Sequence, residues 1–334
     1  MTMLRLQTVG LTLMISLAGL AGGCGPRTES APEPVGEPAP GGGAGGGSAP
    51  EWPRGAPLNG VWCRKPNGWA VGNGGAVVHW SGTGLVQVEH PTGLDLLAVW
   101  GSGWRDVWAV GAGGAIVHGG VDGWSDSGGP THSTLRSIWG SGPDDVWAVG
   151  DEGAVIHWNG SQWSPVQSGV TSTLQGVWGS GPQDIWVVGD GGVVLHWNGA
   201  GWTQVVNAPN STYRSVWGSG PYDVWVVGEG TQGGEALRWN GSDWRVVPPP
   251  EAALRSVSGT EAEDVWAVGG PESNGRVFHW TSAGWTGVSS GAWPGLRSVW
   301  GSAPDDAWAT SVDGDVLHWD GQQWASVNAR PGAP

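Results

Sequence analysis

Along most of this chain, apolar and polar positions follow one recurring pattern. Its clearest copy, Leu135 to Trp163, reads LRSIWGSGPDDVWAVGDEGAVIHWNGSQW. Seven copies run from about Leu58 to Trp324, and the Trp of the VWAVG segment falls at Trp69, Trp108, Trp147, Trp186, Trp225, Trp266 and Trp308. The steps are 39, 39, 39, 39, 41 and 42 residues. A fixed period of this length marks a repeated supersecondary unit with room for four short strands. In the third copy the pattern predicts strands over Leu135–Ser141, Asp145–Gly150 and Gly153–Trp158, with a fourth from about Gln162 to Val166. Turn residues separate them. Pro143-Asp144 presets a bend, and Asp151-Glu152-Gly153 reads as a tight hairpin. Asn159-Gly160 reads as a two-residue hairpin with both residues at positive φ. Outside the N-terminal run, no window carries an apolar stripe at helical spacing.

The VWAVG strand is apolar on both faces, as in a sheet covered on both sides. Small four-stranded sheets gain two covers when they pack radially about an axis. The predicted fold is therefore all-β, a seven-bladed β-propeller of four-stranded antiparallel blades. Its repeats lie near 58–93, 94–133, 134–172, 173–211, 212–252, 253–294 and 295–327, followed by a tail over 328–334. Composition agrees, because 64 Gly and 28 Trp in 334 residues supply tight turns and large rings to fill the wedges between blades. Some copies depart from the pattern. Leu85 replaces the fourth-strand Trp, Gly119 the third-strand Trp and Ser258 the first-strand Trp. Cys63 stands where other copies have Gly101 or Gly140, which suits a small buried filler. Trp52 is a candidate fragment of outer strand for closing the ring.

Residues 1–23 read as a lipoprotein signal peptide. Arg5 supplies the positive end, and Val9 to Gly22 is an apolar run too short to span a bilayer. The run ends at Ala21-Gly22-Gly23-Cys24, which resembles a bacterial lipobox and makes Cys24 the expected lipidation site. Residues 24–57 then form a tether of Pro, Gly, Ala, Ser and Glu, with too little apolar surface to fold. These features predict a bacterial cell-envelope location, periplasmic or cell-surface, with membrane contact through the N-terminal lipid alone. The net charge of −15 argues against nucleic acid as a partner, since phosphate contacts need a basic footprint.

Three polar positions repeat with the fold. His79, His118, His157, His196, His279 and His318 share one position, with Arg238 completing the set. A metal ring there is opposed by geometry, because neighbouring third strands lie too far apart for ligand bonds of about 2 Å. A His bonded within its own blade is the expected role, with Asp106, Asp145, Asp184, Asp223, Asp264 and Asp306 as natural partners. Arg136, Arg214, Arg255 and Arg297 sit early in the first strand. An Arg cluster with a Tyr and acidic partners would suit a sialidase-like glycan hydrolase. Only Tyr213 and Tyr222 are present, and the arginines follow the repeat. No metal, cofactor or catalytic residue is assigned.

What breaks the symmetry is more local. Copies five and six each carry three extra residues in the second hairpin, Glu229 to Glu235 and Pro271 to Gly275. Those hairpins share a face with the blade-to-blade connections, including Pro248-Pro249-Pro250 and Gly291-Ala292-Trp293-Pro294. Loops on a rigid scaffold are where binding concentrates. Glu229, Gln232, Glu235, Glu272, Asn274 and Trp293 are the candidate binding residues, with Trp293 expected as an exposed anchor.

The run GWAVGNGGAVVHW from Gly68 and its copies resemble the propeller repeats of the photosystem II assembly factor type and the wider Asp-box (BNR) group. The hairpin departs from that pattern, with Asn-Gly-x-x-Trp where those repeats have Asp-x-Gly. The sixth copy also resembles a kelch unit. This resemblance implies binding or scaffolding more often than catalysis. The expected function is a monomeric, membrane-anchored binding or scaffold protein that engages a protein or glycan through one propeller face. An envelope assembly scaffold without a small ligand and an extracellular glycan-active enzyme are the alternatives.

Overall fold

The computed structural model describes residues 57–327 except 66, 82–84, 90–91, 248–251 and 289–292. The proposed leader, Cys24, Trp52 and the tail lie outside the described residues. Seven antiparallel sheets of four strands each are built from consecutive segments. The blades run Leu58–Val88, Leu96–Asp126, Leu135–Pro165, Leu174–Asn207, Thr212–Val247, Leu254–Val288 and Leu296–Ser326. Each inner strand packs against the inner strands of both neighbours, and that of blade 7 packs against that of blade 1. The chain is therefore a closed seven-bladed β-propeller.

Second strands are buried on both faces, as VWAVG requires; Val146, Ala148 and Val149 have no exposed surface. Between blades, each second-strand Trp lies against aromatic rings of the next blade. Trp147 meets Trp197 at 5.4 Å and Trp202 at 5.8 Å, while Trp225 meets Trp280 and Trp285 at 4.9 and 5.5 Å. Nearer the axis, the first-strand Trp of blades 1 to 5 reaches over the next blade's Gly, such as Trp139 over Gly179 and Trp178 over Gly218. A Cβ at Gly179 would come within 2.7 Å of the Trp139 ring, so glycine is required by close approach.

Among the described residues the ring closes through side chains, with no strand exchanged between the first and last blades. Trp308 of blade 7 lies 5.5 Å from Trp80 of blade 1. Trp300 donates its indole N–H to the Cys63 carbonyl at 2.9 Å. Cys63 is buried as expected, and burial pushes its thiol up to about 12. Where Ser258 replaces the first-strand Trp, its hydroxyl accepts the Gly301 N–H at 3.1 Å.

Two features depart from the predicted strands. The Asn159-Gly160 hairpin is a four-residue loop, because Trp158 pairs with Trp163. Only Gly160 takes positive φ, and the Asn159 side chain instead accepts the Ser161 and Gln162 N–H groups at 3.0 and 3.1 Å. The third strand begins at Val155, after a 3-10 turn over Asp151–Gly153. Inner strands also carry register breaks. In blade 3 they fall between Leu135 and Ser137 and between Gly140 and Gly142, which leaves Arg136 and Ser141 unpaired on the ladder. Such bulges turn a side chain away from its regular direction.

Candidate functional site

The second bulge builds a unit that repeats around the ring. Ser141 donates to Asp145 Oδ2 at 2.5 Å, and His157 Nε2 lies 2.6 Å from Asp145 Oδ1. The imidazole stacks on Trp147 with ring centres 4.2 Å apart. Blade 4 repeats this with Ser180, Asp184, His196 and Trp186. In blade 6 the hydroxyl is Thr260, and in blade 5 Arg238 replaces the imidazole, bonding Asp223 at 2.6 Å and lying 4.8 Å over Trp225. Blade 1 lacks the second bulge and the hydroxyl, and His79 meets Asn67 at 3.0 Å. Burial acts to raise the Asp145 carboxyl, but bonds from His157, Ser141 and Trp147 outweigh it and hold it below the usual range. Asp106, Asp264 and Asp306 are held down in the same way.

The order of these groups decides their chemistry. Hydroxyl and imidazole both bond the carboxylate, so the serine rests on an acid held below its usual range, a poor base, and not on the imidazole that activates a serine nucleophile. The recurrent His and Asp brace the blades. Neither tyrosine completes a sialidase-like set. Tyr213 is buried with its hydroxyl 3.3 Å from Glu235, and Tyr222 lies on a first-to-second-strand turn, on the opposite face.

The first bulge forms the site. It falls on the second residue of the inner strand, or the third in blade 5, giving Asn59, Leu97, Arg136, Gln175, Arg214, Arg255 and Arg297. These residues line one central cavity of about 220 Å³. The structure thus brings together the four arginines that the sequence places early in the first strand. Each faces the residue that opens its own blade's second hairpin, held in most blades by the same backbone bond, such as Asp151 N to Thr134 O and Val312 N to Gly295 O, both 2.9 Å.

The side chains at that pair of positions match in most blades. Asn59 donates to Asn73 at 2.8 Å, and Gln175 to Asp190 at 3.0 Å. Arg136 grips Asp151 with two bonds, Nε to Oδ1 at 2.5 Å and Nη2 to Oδ2 at 3.2 Å. Arg214 pairs with Glu229, and in blade 2 Leu97 faces Ala112. Blades 6 and 7 break the rule, because Arg255 faces Gly270 and Arg297 faces Val312. The Nε of Arg297 is buried with no hydrogen-bond partner. Burial lowers the Arg255 pKa, and Arg214 and Arg297 lower it further.

The candidate loop residues lie on this same face. The extra residues of blade 5 lengthen the hairpin ladder, with Glu229 opposite Gly234 and Gly230 opposite Gly233. Gln232 is exposed at its tip. Glu229 is engaged by Arg214, while Glu235 accepts from Ser211 at 2.6 Å and from Tyr213. In blade 6, Glu272 and Asn274 are exposed, and the Glu272 carbonyl accepts the Gly295 N–H at 2.6 Å. Trp293 differs from the expected exposed anchor. It is half-buried against the blade 6–7 core, with its indole nitrogen enclosed. Pro248 to Pro250, Gly291 and Ala292 lie outside the described residues. Sequence reasoning found the arginines but missed their partners, which sit 15 residues on at Asp151 and Glu229 and are replaced by Gly270 and Val312.

No protein-family profile matches this sequence, and no curated protein matches it. Solved structures share the fold at low identity. YCF48 bound to D1 peptide aligns with TM-score 0.64 and 15% identity over 80% of this chain and 94% of that one. Virginiamycin B lyase from Staphylococcus aureus aligns with TM-score 0.68 and 12% identity over 79% and 94%. The WD40 β-propeller domain of Doa1 aligns with TM-score 0.64 and 13% identity over 81% and 94%.

Proposed function

We propose that this protein is a lipid-anchored binding or scaffold protein of the bacterial envelope that docks a protein partner on the face bearing the second hairpins. One observation carries the reading. Departures on this face cluster in blades 5 to 7, where the lengthened hairpins of blades 5 and 6 border Arg255 and Arg297, which face Gly270 and Val312 where Arg136 and Arg214 face an acid. Variation clustered on one rim of a rigid scaffold is what a binding surface needs. A fold-sharing protein, YCF48, binds a D1 peptide, which lends support to a protein partner. The lipobox-like Ala21-Gly22-Gly23-Cys24 and the tether after it motivate the anchored, extracytoplasmic placement.

The test is a pull-down from envelope extracts with the full chain and a variant lacking Thr231-Gln232-Gly233, alongside a glycan array. A protein held by the parent and lost by the variant, at unchanged melting temperature, is the expected outcome. Equal retention by both, or binding to glycans alone, overturns the reading. Anchoring is read separately: Cys24→Ala is expected to move the protein from the membrane to the soluble fraction.

A further inference from the structure

We propose that the mouth of the central channel binds a carboxylate, held by Arg297 and Arg255 in the place that Asp151 fills for Arg136. The proposal rests on the reading of this face as the binding face and gives that face a ligand chemistry. Blade 3 supplies the template. There the chain's own carboxylate meets the Nε–Nη edge of a guanidinium through two bonds, the geometry in which Arg and a planar two-oxygen acid fit best. Blade 7 keeps the bulge that aims the arginine, and it keeps the backbone bond at the head of the hairpin. It lacks only the acid, because Val312 stands there. Arg297 Nε is thereby left buried without an acceptor, a costly state for a charged donor.

Blade 6 adds the second cation beside it. Its inner strand packs directly on that of blade 7, and Val299 donates to the Ser256 hydroxyl at 3.1 Å. Arg255 faces Gly270, so the hairpin head opposite it carries no acid. Arg297 raises the cost of charge on Arg255, and a shared anion relieves that cost. Glu272 and Glu229 also act on Arg255, so a singly charged acid suits the site better than a dianion such as phosphate. The cavity of about 220 Å³ holds a short acid or the last residue of a peptide, not a folded domain. The net charge of −15 disfavours anions over the surface at large, so an anion that binds does so through local contacts.

Calorimetry on the full chain tests this with three probes: tetra-alanine with a free C-terminal carboxylate, the same peptide amidated, and sodium propionate. The free-acid peptide, propionate or both are expected to bind. Binding of the peptide but not propionate assigns the site to a peptide terminus, whereas binding of propionate assigns it to carboxylates in general. Amidation and Arg297→Gln are each expected to weaken peptide binding by about tenfold or more. Val312→Asp recreates blade 3, and is expected to raise the melting temperature and abolish binding. Arg105→Gln, on a first-to-second-strand turn of the opposite face, is expected to leave binding unchanged. The proposal falls if no carboxylate binds at roughly 10 mM, if the acid and amide bind alike, or if Val312→Asp raises the melting temperature and still binds. In any of these cases, loss of a pulled-down partner on deleting Thr231-Gln232-Gly233 would leave the protein-docking reading standing.

Discussion

Between the blades and around the channel, the same repeat is used in two ways. In the wedges, a missing aromatic ring is replaced by a local substitute. Arg238 lies over Trp225 where other blades stack an imidazole, and Ser258 bonds Gly301 where other blades reach over with Trp. At the channel rim, substitutions come in matched pairs through blade 5 and then stop matching at Arg255 and Arg297. The contrast teaches where each region is constrained. A wedge that loses a ring opens a void between two sheets, whereas a rim position faces the channel and can take its partner from outside.

The largest expected effect breaks a wedge. Trp225 has no exposed surface and touches Trp280, Trp285 and Arg238. Trp225→Ala is expected to cost about 3–5 kcal/mol through lost burial and the cavity left behind. Arg136→Gln at the rim is expected to cost no more than about 1 kcal/mol, because that ion pair is partly solvated. Denaturant titration of both variants checks the difference, and equal costs would erase the distinction between the two regions.

A smaller effect tests the brace at the strand start. Asp145→Asn keeps the shape but removes the charge that accepts from Ser141, His157 and Trp147. A loss of about 1–3 kcal/mol at neutral pH is expected. The acid limb should change as well. Because the folded carboxyls of Asp106, Asp145, Asp264 and Asp306 are held below the ordinary value, their stabilisation is complete above about pH 4. It is lost as pH falls through the lower folded values. Stability measured from pH 7 down to pH 2 should therefore fall less steeply in the variant than in the parent.

How much of this is legible in the sequence follows from the bulges. Second strands are readable because VWAVG is regular and all but its first polar residue is buried. Trp147, His157 and Asp145 are readable as a structural set because they recur in register. The inner strand is harder. LRSIWGSG has no period of two, because two of its residues sit outside the ladder, and those two, Arg136 and Ser141, make the polar contacts. Sequence alone carries no sign that Ser141 joins Asp145, or that Arg136 is answered by Asp151 across a hairpin. The rim partners are also masked by loop length, since the extra residues of blades 5 and 6 draw attention to Gln232 and Asn274 at the tips. Trp293 misleads because an aromatic beside Pro in a connection suggests exposure, whereas here it closes the core under the blade 6–7 joint.

The smallest expected effect sharpens the comparison within the ring itself. Among the described residues, blade 1 is the place where the imidazole meets an amide, Asn67, and its inner strand lacks the second bulge. Burial lowers the His79 pKa, so the folded state favours the neutral ring. That preference stabilises the fold above about pH 6.5 and is lost as pH falls through the lower folded value. Asn67→Asp supplies the negative acceptor that the other blades have, which favours the charged ring. His79 should then titrate at higher pH, and the loss of stability between about pH 7 and pH 5 should shrink by under about 1 kcal/mol. Proton NMR of the His79 ring in both proteins reads the first, and melting temperatures at the two pH values read the second. If His79 titrates at the same pH in the parent and in the Asn67→Asp variant, burial rather than the missing charge is what sets blade 1 apart.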